Sequence, residues 1–176
     1  MSIDSEQFIK ALSNLLEEAH VAPPDPKSTW ITTNEPDSGF LGTLSRISAD
    51  VASRAPAPGM NTIAAHAGHL HYSLSLANRA FRGKSAYENA DWPGSWRTQT
   101  VDAAAWDRLR DALRHEHEQL LAAITQGPVP WDKPMVVFTS AMALVGHGAY
   151  HLGAIRQIHR LLTQAPPTRE ASRANV

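Results

Sequence analysis

The chain has 176 residues, 43% of them apolar and 19% charged, with 16 Lys and Arg against 17 Asp and Glu. That length suits one compact domain of globular composition, and a net charge of −1 gives no sign of a nucleic-acid binder, so no nucleic-acid partner is expected. Cysteine is absent, which excludes disulfides, thiolate metal sites and a cysteine nucleophile, whereas nine histidines make imidazole the first place to look for chemistry.

The N-terminal stretch MSIDSEQFIKALSNLLEEAH carries acids and no basic region, so no secretory leader is expected. No apolar run is read as reaching the ~18 residues of a membrane span, so no membrane partner is expected. The cysteine-free composition fits a cytoplasmic protein. Phe8, Leu12, Leu15, Leu16 and Ala19 recur at helical spacing and predict a first long helix over 5–20, ended by Pro23–Pro24–Asp25–Pro26. Residues 27–38 read as irregular. Leu41, Leu44, Ile47 and Val51 predict a short helix over 40–53, and Pro56, Pro58 and Gly59 interrupt the chain again. A second long helix, 61–82, has Asn61 or Thr62 as its cap and Ile63, Leu70, Leu74, Ala77 and Phe81 as its seam. Residues 83–100 form a linker rich in Gly, Pro and Trp. The third long helix, 101–126, starts at a capping Asp102, faces inward with Trp106, Leu109, Leu113, Leu120 and Ile124, and stops at Gly127, Pro128 and Pro130. The fourth, 134–163, begins with Pro134 in its first turn. The sequence thus divides into one domain over 1–165 and a flexible tail over 166–176.

Four long amphipathic helices in one small domain mean an all-α helix bundle. The short joint at 127–133 predicts that the third and fourth helices are antiparallel neighbours. Fully extended, the linker 83–100 reaches up to ~60 Å, twice the ~30 Å of a 20-residue helix, so the second and third helices can run parallel.

His147 and His151 lie four apart, on one face of the fourth helix, within a seam of Leu144, Ile155, Ile158 and Leu162. Imidazoles turned inward need polar partners, and a divalent ion would satisfy both; hydrogen bonds to carbonyls are the alternative. On the second helix His66, His69 and His71 cannot all serve one ion, because His71 points nearly opposite His69. His69 and His66 are rivals for the third ligand of a three-histidine site with open positions. His117 lies in the seam of the third helix between Leu113 and Leu120, and reads as a core histidine or one that supports the ligands from behind. His20 can serve the C-terminal end of the first helix. His115 reads as exposed, and His159 is a weak ligand candidate.

No H-E-x-x-H, G-x-S-x-G, P-loop or G-x-G-x-x-G occurs, nor the Glu-x-x-His pairs of di-iron bundles, and acids are scarce near the candidate ligands, which argues for a single ion. Gly68, Gly146, Gly148 and Gly153 flank the histidines and fit either room for a ligand or tight helix packing. Trp106 reads as core, and Trp30, Trp92, Trp96 and Trp131 as covers over the bundle ends, with Trp92 and Trp96 alternatively at a pocket mouth.

The stretches NTIAAHAGHLHYSLSLANRAFRG and HGAYHLGAIRQIHRL resemble the DinB-like (DinB/YfiT) superfamily, and the resemblance covers most of 5–163. It implies a four-helix bundle in up-down-down-up order, with a long crossover between the second and third helices. It also implies a metal site made of one histidine from the second helix and the H-x-x-x-H pair of the fourth, which fall on His69, His147 and His151; His66 is offset by a turn. Members bind zinc, nickel or iron. Some are transferases or isomerases that use a low-molecular-weight thiol as co-substrate, and some are described as hydrolases. The reading implied is a metal-dependent enzyme acting on a small molecule, with a non-catalytic binding or stress-response bundle as the alternative. No general base is assigned, and a homodimer is expected because two-fold pairing is the commonest assembly. Proton competition predicts that metal binding weakens as pH falls through ~6.5, the unperturbed histidine value.

Overall fold

The computed structural model describes residues 4–127 and 134–164. Among them the long elements are α1 (Ser5–His20), α4 (Ile63–Phe81), α5 (Ala103–Gln126) and α6 (Pro134–Thr163); α2 (Phe40–Ser45), α3 (Ala49–Ala52) and a 3-10 turn at Gly94–Trp96 are short. The described residues include no strand. The tail expected at 166–176, and Pro128, Pro130 and Trp131, lie outside the described residues.

Side-chain caps fix where the helices begin, since a short polar side chain satisfies an otherwise orphaned N–H. Asp4 accepts from the Glu6 N–H at 3.1 Å, Thr62 from Ala65 at 3.2 Å and Asp102 from Ala105 at 2.7 Å. Of the two residues proposed to cap α4, Thr62 does so. Gly83 ends it: at φ +72° it lets the Lys84 N–H reach the Arg79 carbonyl and its own N–H reach that of Ala80. The single helix expected over 40–53 is two. Ser48 caps a new turn at the Val51 N–H, and the carbonyl of the intervening Ile47 accepts from the Trp106 indole at 2.7 Å.

Contacts set the directions. Thr62, Asn78 and Arg82 of α4 and its cap bond Gln99, Glu116 and Gln119 of the crossover and α5, so α4 and α5 run the same way. Phe8 packs on Phe138, and the backbone at Gly148 approaches His20, so α1 and α6 also share a direction. His66 and Ser73 of α4 meet His151 and His147 respectively, so α4 and α6 run oppositely. The crossover 83–102 therefore returns along the length of α4, as its reach allowed. The expected side-by-side packing of the third and fourth helices is not met. Among the described residues α5 packs on α1 and α4, as α6 does, and the two sit diagonally with α2 and α3 touching both. The joint 127–133 can reach ~23 Å, enough for a diagonal.

The core joins Leu16, Phe40, Leu44, Leu70, Leu113, Leu120, Trp106 and Ile155, all fully or almost fully buried. Residues 30–32 are tied down by the buried Glu18, whose carboxylate accepts from the N–H groups of Trp30, Ile31 and Thr32 at 2.7–3.1 Å. Burial works to raise the Glu18 pKa, yet these bonds to the ionised form prevail and the net shift is downward. Trp30 itself is exposed and covers nothing.

α6 is longer and more apolar than the expected absence of a spanning run allows. By length and composition Met135–Thr163 is apolar enough to cross a membrane. Between Pro134 and Ile155 it has no Asp, Glu, Lys or Arg. His, Ser, Thr and Gly interrupt its apolar runs without adding charge, which is why a reading by unbroken runs passes over it. Its inner faces meet α1, α2 and α4, while Met135, Met142 and Tyr150 stay exposed.

Candidate metal centre

The antiparallel packing of α4 and α6 brings His69 against His147 and His151. One ring nitrogen of each lies within 4.8 Å of the others. The Nε2 atoms of His69 and His147 are 3.2 Å apart, and those of His147 and His151 2.9 Å. Nitrogens on a tetrahedral ion at ~2.0–2.1 Å lie roughly 3.3 Å from one another, so the spacing suits one small divalent cation. Among the described residues no carboxylate joins the group.

Each ring is held from behind through Nδ1. Ser95 Oγ donates to the Trp92 carbonyl at 2.6 Å and so offers its oxygen to His69 Nδ1, also at 2.6 Å. That arrangement places the proton of His69 on Nδ1 and leaves Nε2 a free lone pair, the form a metal needs. Ser73 Oγ lies 3.2 Å from His147 Nδ1, and His66 Nδ1 lies 2.9 Å from His151 Nδ1. His66 thus comes to the site as a partner of His151 rather than as a rival of His69. Ser95 sits in the 3-10 turn of the crossover and no sequence pattern marks it; Ser73, one turn beyond His69, could have been found from helical spacing.

Tryptophans wall the cluster. Trp96 stacks on His69 with centroids 4.2 Å apart and rings 20° from parallel, and it also touches His66 and His151. Trp92 stands 5.8 Å from His69. The two therefore line the site instead of covering a bundle end, whereas Trp106 is core as expected. The low-dielectric surround keeps the imidazoles neutral. Burial first, then the charges of His147 and His66, lower His69 to about 4. Burial, then the charges of His147, His66 and His69, lower His151 to about 3. Burial also lowers His66 and His147. The expectation that protons compete at ~6.5 therefore applies to free histidine, not to this cluster.

His117 is buried, and its hydrogen bonds go elsewhere: Nδ1 to His20 Nδ1 at 2.9 Å and Nε2 to Glu17 at 3.0 Å. His20 is fully buried beside Phe40, and its Nε2 has no hydrogen-bond partner. His115 is exposed. The glycines divide by environment. A Cβ on Gly148 would lie 3.0 Å from His20 Nε2, so this glycine permits close helix packing; Gly146 and Gly153 face open space, and Gly68 has only ordinary contacts.

A cavity of about 880 Å3 opens beside His147 between α4, α6 and the crossover. A family model described as the DinB superfamily matches residues 38–155, more than half of the chain. Comparison with curated proteins and with solved structures gives no match.

Proposed function

The chain belongs to the DinB superfamily, and from that premise we propose that it is a metal-dependent enzyme acting on a small molecule. The observation that carries this reading is the convergence of three Nε2 atoms whose rings are each anchored through Nδ1. His69, His147 and His151 would hold one zinc, nickel or iron ion. When bound, the ion would act as a Lewis acid toward a water or a low-molecular-weight thiol. Ser95, Ser73 and His66 keep the ligand rings oriented, and Trp96 keeps bulk water from the His69 face. Three protein ligands leave positions for a reactant, as catalytic sites require and closed structural sites do not. Thiol-dependent transfer, isomerisation or hydrolysis are the reaction types this arrangement serves. The shared directions of α1 with α6 and of α4 with α5 support an up-down-down-up four-helix bundle, with the metal site between its second and fourth helices.

Cobalt(II)-loaded protein tests the reading. A visible spectrum of low-symmetry cobalt that gains a thiolate charge-transfer band on adding 2-mercaptoethanol is expected. A spectrum unmoved by thiol and by small anions would mean a closed coordination sphere. That result would leave a non-catalytic bundle with a structural or sensing ion.

A further inference from the structure

The cavity beside His147 says what kind of molecule would reach the ion. Its volume, about 880 Å3, lies within the ~300–1,000 Å3 of small-molecule sites. Ala77 and Phe81 of α4, Trp92 of the crossover, and Val137, Ala143 and Leu144 of α6 give it apolar walls. The rings of Tyr87 and Trp92 stack 11° from parallel with centroids 6.5 Å apart, and both border the cavity. The polar groups are hydroxyls, on Ser73, Thr139, Ser140 and Tyr87, together with the His147 ring at the inner end.

Among the described residues no lining residue is an Asp, Glu, Lys or Arg. Lys84 of the neighbouring segment is exposed and outside the lining, and four other charged side chains there are engaged elsewhere. Arg79 bonds the Ser85 carbonyl, Arg82 bonds Gln119, Glu88 accepts from Ser85, and Asp91 pairs with Arg97 at 3.4 Å. The α6 wall belongs to the stretch from Pro134 to Ile155 that carries no charge at all. In the metal-free protein a carboxylate or ammonium group entering here would lose water and meet no counter-charge on the described walls, whereas an apolar body would gain from burial.

We propose that this cavity takes an uncharged, largely apolar small molecule of aromatic or alicyclic kind, oriented with a single neutral polar group toward His147. The proposal rests on the metal-enzyme reading only for the role of its inner end; the cavity itself is tested without metal. The probe is 1-aminoanthracene, a neutral dye whose emission rises in apolar surroundings, added to full-length protein freed of metal by chelation. Competitors are 2-naphthalenemethanol and 2-naphthoate, which share a ring system and differ in charge. The alcohol is expected to displace the dye at a concentration at least tenfold below that needed of the carboxylate. Equal or better competition by 2-naphthoate would overturn the proposal, as would failure of the dye to bind. Ala143→Trp fills the cavity from an exposed position one turn before His147 and leaves the three histidines in place. It is expected to weaken dye binding at least tenfold while zinc still binds one per chain. Undiminished dye binding in this variant would place the dye elsewhere and refute the assignment. A failed zinc titration would sink the metal reading and leave the dye result standing, so the two failures are distinguishable.

Discussion

Two glycines of α6 should respond differently to the same substitution. A Cβ on Gly148 would lie 3.0 Å from His20 Nε2 and 3.1 Å from its Cδ2, inside the 3.4 Å at which ordinary contact begins. His20 cannot easily give way. It is fully buried, bonded through Nδ1 to His117 and set against Phe40 with centroids 4.5 Å apart. A Cβ on Gly153 meets nothing within 4 Å. Replacing Gly by Ala inside a helix gains about 1 kcal/mol in either place, while overpacking a filled core costs about 1–3 kcal/mol. The helix contribution cancels between the two variants, so Gly148→Ala should be about 1–3 kcal/mol less stable than Gly153→Ala. For a chain of this size that separates their melting temperatures by about 2–4 °C per kcal/mol. Thermal melts by circular dichroism at neutral pH, with chelator present, measure the difference. Gly153→Ala should melt above the parent and Gly148→Ala below it or level with it. Equal upward shifts would show that His20 is not packed against α6 as described.

Ser95→Ala and His66→Ala should each weaken zinc binding about 10–100-fold, because each frees the Nδ1 side of a ligand ring, while His71→Ala should change little; competition with a fluorescent zinc chelator reads the affinities. Zinc should stay bound below pH 6.5, with loss developing toward about 4, since His69 is lowered to about 4 and His151 to about 3. For the metal-free fold the sign follows from the same shifts. The unfolded chain takes up protons near ~6.5 and the folded cluster does not, so stability is full above that value and falls as pH drops toward about 4. Equilibrium dialysis and acid melts test both parts, and zinc release half complete above pH 6 would contradict them. If the exposed Met135, Met142 and Tyr150 face of α6 pairs two copies, Met142→Glu should convert a dimer to a ~19 kDa monomer in sedimentation, and a parent that is already monomeric would refute the pairing.

Much of this architecture is legible in the sequence. Periodicity finds the long helices because each buries one stripe, and Thr62 and Asp102 cap where short polar side chains precede apolar runs. The spacing of His147 and His151 alone places them on one face. Spacing could not separate His66 from His69, because residues three apart also share a face; in the fold one meets His147 and the other backs His151. The diagonal placing of α5 and α6 is set by α2 and α3 packing between them, a tertiary fact that a short joint does not disclose. Likewise the union of Glu17, His117 and His20 joins residues about a hundred positions apart, and nothing in the local pattern of any one helix announces it.

Whether His69, His147 and His151 together hold one ion is decided by calorimetric titration of zinc into untagged, metal-free protein. The parent should bind one zinc per chain and the His147→Ala/His151→Ala double variant none at the site, with both proteins folded by circular dichroism. One zinc per chain bound equally tightly by both would contradict the three-histidine site.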